Sequence, residues 1–269
     1  MKKLIISLLI LLYSPFIMAK TTLNFGVVPQ QSASKLAQLW TPIFEELTLK
    51  SGIYIKFETA PDIPTFEKRL SQGKYDIAYM NPYHYVIFNQ SPGYQALAKA
   101  RDKRIKGIIV VAKDDAINNF NDLQNATLAF PAPASFAATI LTQVDLKNNN
   151  ITFQSKYVSS HDSVYRTVAK GIYPAGGGVL RTFNNIEPSI KEKLKILSTT
   201  KGYTPHAIAA HPSVTTEQVK KIQQALIAME KSDAGKLLLN SIKIKGFEKA
   251  VNSDWNDIRK LNLSVKVVK

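Results

Sequence analysis

Leu128-Ala129-Phe130-Pro131-Ala132-Pro133-Ala134-Ser135-Phe136 and, some thirty residues later, Tyr157-Val158-Ser159-Ser160-His161-Asp162 are the two stretches from which the fold can be read. In each, an apolar run of strand length ends in a turn that carries small hydroxyl residues into a helical pattern. The second also brings a histidine to the helix start. A helix N-terminus presents unpaired N–H groups and the positive end of its dipole, so both junctions favour a bound anion. Two such junctions in one α/β unit predict a receptor for a small anionic ligand.

Working outward, apolar runs alternate with helical periodicity. Residues 22–28 read as a strand, and Leu36, Leu39, Trp40, Ile43, Phe44 and Leu47 then recur on one helix face, with Gly52 as a stop and Pro42 predicting a kink or restart. Strands are expected at 53–57 and 75–80, with a short helix at 64–71 opened by Asp62 and Pro64. The pattern repeats from Lys106: strands at 107–112, 126–130 and 151–158, helices at 134–146 and 162–170, then apolar runs at 175–179 and 194–198. Thr215 with Gln218 makes a capping box ahead of Val219, Ile222, Leu226 and Met229. Two α/β units fit this length better than one large sheet.

The start of the chain bears on compartment. Met1-Lys2-Lys3 is basic, residues 4–13 are almost uninterruptedly apolar, and 15–19 end in Ala19, which together read as a secretory signal peptide over residues 1–19. The apolar run is too short for a bilayer-spanning helix. Cysteine is absent, which excludes disulfides, thiolate metal ligands, a thiol nucleophile and a lipid-modified cysteine. A soluble periplasmic protein is expected. The formal net charge of +15 favours anionic partners, but its lysines are scattered along the chain, and with export this argues against nucleic acid.

Three further stretches, Asn24-Phe25-Gly26-Val27-Val28-Pro29 before a helix, Gly73-Lys74-Tyr75-Asp76-Ile77-Ala78-Tyr79-Met80-Asn81-Pro82, and Ser160-His161 before a helix, together resemble the periplasmic phosphonate-, phosphite- and phosphate-binding proteins of ATP-driven importers. The likeness runs over essentially the whole of the chain after residue 19. It implies the α/β, two-lobed type II periplasmic-binding-protein fold, each lobe a mixed sheet flanked by helices, with a ligand cleft between lobes that closes by a hinge. Lobe one would be residues 20–104 plus 201–269, and lobe two residues 105–200. The resemblance further implies an inner-membrane ABC permease as partner and a monomer; no cofactor is expected, and His84, His161, His206 and His211 argue little for a metal, since there is no cysteine and no carboxylate stands between the closest pair, His206 and His211.

The departures from that family bear on the ligand. Its Ser-Thr-Ser run at a helix start, which grips the phosphonyl oxygens, is here Pro133-Ala134-Ser135, so only Ser135 keeps a hydroxyl while the amides near Ala134 can still face an anion. Two lost donors, at roughly 1.5 to 3 kcal/mol per hydrogen bond to a charged group, would weaken a phosphonate grip substantially unless replaced. His161 matches, with Ser160 beside it. Two carboxylates that relatives use for a ligand ammonium fall at or near Arg181 and His206, so acid has become base. A guanidinium suits carboxylate or phosphate and repels an ammonium, which predicts a ligand without an amine there and admits a second anionic group. Tyr79 stands at a cleft position, while tyrosines that relatives carry near Ile63 and Ile105 are replaced by aliphatics. The expected contacts are therefore Ser135, His161, Arg181, His206, Tyr79, Ala134 and Ser160.

Two other readings keep some of these residues. The same binding fold could report to a membrane sensor kinase instead of a permease. Ser135, Ser160 and His161-Asp162 contain the residue types of a serine nucleophile site, but adjacent His and Asp do not orient one another as a triad requires. No nucleophile elbow, zinc-binding His-Glu-x-x-His or Gly-Lys-Ser/Thr phosphate loop occurs, so catalysis is not expected.

Overall fold

The computed structural model describes residues 22–263, 265 and 267. The proposed signal peptide lies outside them. No helix among the described residues is long and apolar enough to cross a membrane.

The first lobe forms around Phe25, Ile77 and Ile208, fully buried on neighbouring strands. Strand β1 (Thr22–Val27) leads to helix α1 (Ala33–Ser51), then β2 (Tyr54–Glu58), α2 (Ile63–Ser71), β3 (Ile77–Met80), α3 (Pro82–Gln90) and β4 (Gln95–Ala100). After an excursion the chain returns with β10 (Ala207–Ala210), α8 (Thr216–Ala228), α9 (Asp233–Ser241), β11 (Phe247–Lys249) and α10 (Asn256–Arg259). The six strands lie in the order β11-β4-β10-β3-β1-β2. β1 runs parallel to β2 and β3, whereas β10 is antiparallel to β3 and β4. Helix α1 buries the face predicted for it, and Gly52 caps it with φ of 70°, a left-handed conformation that glycine adopts without cost. The kink or restart expected at Pro42 does not divide it: α1 is one element of 19 residues. Trp40, Ile43, Phe44 and Leu47 carry the buried stripe straight through the missing N–H.

The second lobe holds β5 (Gly107–Ala112), β6 (Ala126–Phe130), α4 (Thr142–Asn148), β7 (Phe153–Tyr157), α5 (His161–Ala169), β8 (Ala175–Val179), the short helices α6 (Leu180–Asn184) and α7 (Pro188–Lys191), and β9 (Leu194–Thr199). Its strands lie in the order β7-β6-β8-β5-β9. β6 is parallel to β7 and β8, and β5 is antiparallel to β8 and β9, so both sheets are mixed. The helix expected from residue 134 begins at Phe136, and its first stretch, Phe136–Leu141, is wound wide before α4 continues it. Pro131 and Pro133 keep the preceding residues extended, which delays the start.

The Gly176-Gly177-Gly178 run in β8 has a packing role. A Cβ on Gly177 would lie 1.9 Å from the Ala138 carbonyl oxygen, and one on Gly176 or Gly178 would strike Val164 or Tyr165. The bare strand lets the wide helix press on one face and α5 on the other, which fixes both junction helices relative to the sheet.

Two chain crossings join the lobes, after β4 and after β9. Ile105 and Tyr203 exchange backbone hydrogen bonds of 2.8 and 3.0 Å, so the crossings run side by side as a two-stranded strap. Asp257 ties the strap to the first lobe, accepting from Thr204 N at 2.9 Å and from Arg104 Nη2 at 2.9 Å.

Candidate functional site

Both junctions stand at the carboxyl ends of strands, β6 and β7, at the mouth of the cleft where open α/β sheets gather ligands. Helix α5 starts with Ser160 as its cap, whose hydroxyl accepts from Ser163 N at 3.1 Å. Ser135, by contrast, makes no side-chain cap bond. Its Oγ instead lies 3.4 Å from Nε2 of His161, which brings the two junctions together in the interior. Behind His161, Nδ1 lies 3.5 Å from the Thr182 hydroxyl, which donates to the Val179 carbonyl at 2.9 Å and sits 2.8 Å from the Tyr165 hydroxyl.

Across the cleft, Tyr79 at the end of β3 stacks on His206 with centroids 4.7 Å apart and planes 12° from parallel. Arg181, presented by α6, lies over the Tyr79 ring at 5.6 Å, a cation-π distance, and hydrogen-bonds the Gln30 side-chain oxygen. The first lobe thus supplies Tyr79 and His206 and the second Ser135, His161 and Arg181. Tyr83 and Tyr85 are engaged elsewhere: Tyr83 Oη donates to the Val265 carbonyl at 2.7 Å and Tyr85 Oη to Asn252 at 3.1 Å.

Two hydrogen bonds to backbone carbonyls cross from one lobe to the other. The His161 N–H donates to the Gln30 carbonyl at 3.3 Å, and Asn81, which caps α3 by accepting from His84 N at 2.8 Å, donates to the Ala134 carbonyl at 3.0 Å. The contact recorded for Ala134 therefore uses its carbonyl, turned toward the other lobe. Ser160 lines a separate crevice of about 750 Å³ with Gln31, Lys35, Asp162 and Arg166, away from the Tyr79–His206 stack.

Beside that stack is a cavity of about 470 Å³ walled by Tyr79, His206, Arg181 and the strap. Six of its lining side chains are cationic: Lys103, Arg104, Lys106, Arg181, Lys191 and Lys243; none is a carboxylate. Among the described residues, only Arg104 of the six has an acidic partner, Asp257 at 2.9 Å. The field shows in the titrating groups. Burial, then Arg181, holds His161 down to about 3, and the same two causes, with further positive neighbours, hold His206 well below its usual range. Both imidazoles are neutral at physiological pH. Burial and Arg181 also lower Lys103 to about 8. His206 Nε2, buried, has no hydrogen-bond partner among the described residues.

Gln30, Asn81, Lys103 and Thr182 were not expected here. One signal for Lys103 was present, since Lys99-Ala100-Arg101-Asp102-Lys103-Arg104-Ile105-Lys106 places five cations in eight residues along one crossing.

Several known proteins share this arrangement of lobes. A binding protein component of an ABC phosphonate transporter from Pseudomonas aeruginosa superposes with a TM-score of 0.83 at 16% identity, over 90% of this chain and 86% of that one. PhnD1 from Prochlorococcus marinus, solved in complex with methylphosphonate, gives 0.82 at 19% identity over 90% and 99%. In sequence, the phosphonates-binding periplasmic protein of Escherichia coli K12 is 25% identical over 195 residues, 65% of this chain and 55% of that protein. The phosphate-import protein PhnD of Mycolicibacterium smegmatis is 21% identical over 183 residues, 58% and 54% respectively. The chain spans just over half the length of these two relatives. A family model described as the periplasmic substrate-binding protein of phosphonate ABC transporters matches residues 25–255, so most of the chain is accounted for, and the protein belongs to that family.

Proposed function

We propose that the protein is the periplasmic solute-binding component of an ABC importer, clamping a small oxyanion between its lobes and presenting the closed form to an inner-membrane permease. The observation that carries this is the cavity at the Tyr79–His206 stack, with six cations, no carboxylate and an unpartnered buried imidazole nitrogen. Ser135, His161, Arg181, His206 and Tyr79 are the proposed contacts, with amides near Ala134 and the cap Ser160 contributing the positive ends of their helices. The lobes, residues 20–104 plus 201–269 and residues 105–200, are proposed to close about the Ile105–Tyr203 strap.

The proposed ligand carries no ammonium at the Arg181 end, because Arg181 and Lys103 already repel each other there. Phosphonate, phosphite, phosphate and related organic anions fit these terms. Export through a signal peptide at residues 1–19 is part of the same proposal, as is a monomeric state.

Catalysis is not proposed, although Ser135 and His161 stand like a nucleophile and its base. An imidazole held at about 3 is a poor proton acceptor near neutral pH, and its other nitrogen faces a threonine hydroxyl where a triad would place a carboxylate. A thermal-shift panel of phosphate, phosphite, methylphosphonate, aminoalkylphosphonates and small carboxylates tests the proposal. A ligand at ~100 Kd should add ~2.7 kcal/mol of stability. Methylphosphonate should outperform its amino analogue; the reverse order would overturn the assignment of Arg181, and indifference to every anion would overturn the binding role.

A further inference from the structure

The cavity is larger and more positive than one phosphonyl group requires. At roughly 30 Å³ per water, 470 Å³ holds about fifteen water-sized groups, several times the bulk of methylphosphonate. Its cations come from three separate parts of the chain: the strap gives Lys103, Arg104 and Lys106, the second lobe gives Arg181 and Lys191, and the segment after α9 gives Lys243. They meet only in the fold.

In this wall Arg181 shares the space with Tyr79 and with His206, whose Nε2 is buried without a partner in a side chain only 3% exposed. Lys103, near enough to Arg181 and His206 for the charges to act on one another, donates to the Lys243 carbonyl, Lys191 donates to Asn184 Oδ1 at 3.0 Å, and among the described residues no carboxylate approaches either amine. Neutral oxygens hold these ammonium groups in place without cancelling their charge. Five of the six cations in this wall have no acidic partner among the described residues, more positive charge than one oxyanion neutralises, which calls for a second negative group on the same ligand.

We propose that the cavity is a two-anion site whose ligand is a small organophosphonate bearing a second oxyacid group. The phosphonyl group is held by Arg181 and His206, and the second acid is held by Lys103 with Lys191 and Lys243. This rests on the reading of the protein as a phosphonate-type binder and specifies its substrate class. The lowered proton affinity of Lys103 is in keeping with it, since an anion beside that amine reverses the repulsion from Arg181.

Isothermal titration of the purified protein with methylphosphonate, phosphonoacetate and methylenebisphosphonate tests the proposal, the last two distinguishing a carboxylate from a second phosphonate as the added acid. At least one acid-bearing ligand should bind tenfold or more tightly than methylphosphonate. In Lys103→Gln the ratio of the two Kd values should fall below threefold. Lys191→Gln, on the surface helix α7, serves as a second variant should Lys103→Gln melt early, and should reduce the ratio in the same direction. Methylphosphonate binding with no gain from either second acid overturns the two-anion site and leaves the binder reading intact. A gain that survives both lysine variants overturns it as well. Failure of all three ligands, together with phosphate and phosphite, overturns the binder reading and this inference with it.

Discussion

Asn81 does two separable things, and their separation tests whether closure of the lobes is coupled to binding. Its Oδ1 caps α3 within the first lobe, while its Nδ2–H reaches across the cleft to the Ala134 carbonyl at 3.0 Å. Asn81→Asp keeps the capping oxygen, since Asp and Asn cap equally well, and replaces the donor by an oxygen that faces a carbonyl. Leaving a buried acceptor unsatisfied costs about 1–3 kcal/mol, and that cost falls only on the closed form. Affinity for methylphosphonate or phosphate should therefore drop by roughly 5- to 150-fold while the melting temperature without ligand changes little. Asn81→Ser, which caps but cannot span the gap, loses only the ordinary net worth of the bond, about 0.5–1.5 kcal/mol, or roughly 2- to 13-fold, and adds no charge near the anion. Asn81→Ala should instead lower the melting temperature, through a cap worth about 0.5–2 kcal/mol. Calorimetric titration paired with thermal denaturation reads both axes. Wild-type affinity in both Asn81→Asp and Asn81→Ser would show that the Asn81–Ala134 contact plays no part in closure on ligand.

Other expectations follow from the same geometry. His161 titrates near 3 in the fold against an ordinary 6.5, so between those values the unfolded chain binds the extra proton and stability falls with falling pH, by about 1.4 kcal/mol per unit. His161→Gln should flatten the slope of unfolding free energy between pH 6.5 and 4.5 by one proton; an unchanged slope would place the titrating group elsewhere. Lys103, lowered to about 8, should take up a proton when an anion binds beside it above that pH, so affinity should weaken as pH rises from 8 and stay flat below. In Lys103→Met that dependence should vanish from titrations at pH 7 to 9. Gly177→Ala forces a Cβ to within 1.9 Å of the Ala138 carbonyl and 2.7 Å of the Phe130 ring, which should cost about 1–3 kcal/mol or more in denaturant unfolding. Gly52→Ala, with open space but a φ of 70°, should cost only about 1 kcal/mol. Equal effects at the two glycines would argue against close helix–sheet packing as the reason for the Gly176–Gly178 run.

The elements that were legible in the sequence are those with one wet and one dry face. Helix α1 shows its stripe of Leu36, Trp40, Ile43, Phe44 and Leu47 through the intervening proline, and α8 shows its capping box. Helix α3 gave no such stripe because Pro82, Tyr83, His84, Tyr85, Val86 and Phe88 are all buried, so apolar residues surround it. Strand β10, Ala-Ile-Ala-Ala, is buried along its whole length and too short to alternate visibly. The site divides in the same way. Ser135 and His161 could be named because strand–turn–helix junctions have a local signature. Gln30 and Asn81 could not, since each acts on a partner far along the chain, Arg181 in one case and Ala134 in the other. The departure at Pro133-Ala134 was visible at once, yet the cations proposed to make up for it, Arg181 and the strap lysines, line one cavity only after the two crossings pair.

The chemistry of the Ser135 hydroxyl depends on which nitrogen of His161 carries its single proton, and the residues behind the ring leave that choice open. With the proton on Nδ1, His161 donates toward Thr182, Nε2 becomes an acceptor, and the Ser135 proton is drawn inward, away from any anion. With the proton on Nε2, His161 donates to Ser135 Oγ and frees the serine O–H to donate outward. That second arrangement needs Thr182 to turn its proton from the Val179 carbonyl toward Nδ1. It can do so without orphaning a buried carbonyl, because the Tyr165 hydroxyl lies 3.2 Å from the same Val179 oxygen and can serve it instead. Neither arrangement requires a charged imidazole, which burial and Arg181 forbid. The pair of hydroxyls on Thr182 and Tyr165 thus lets one neutral histidine leave Ser135 either a donor or an acceptor, which at the proposed ligand contact would suit in turn a fully ionised oxyanion and one that keeps a P–OH.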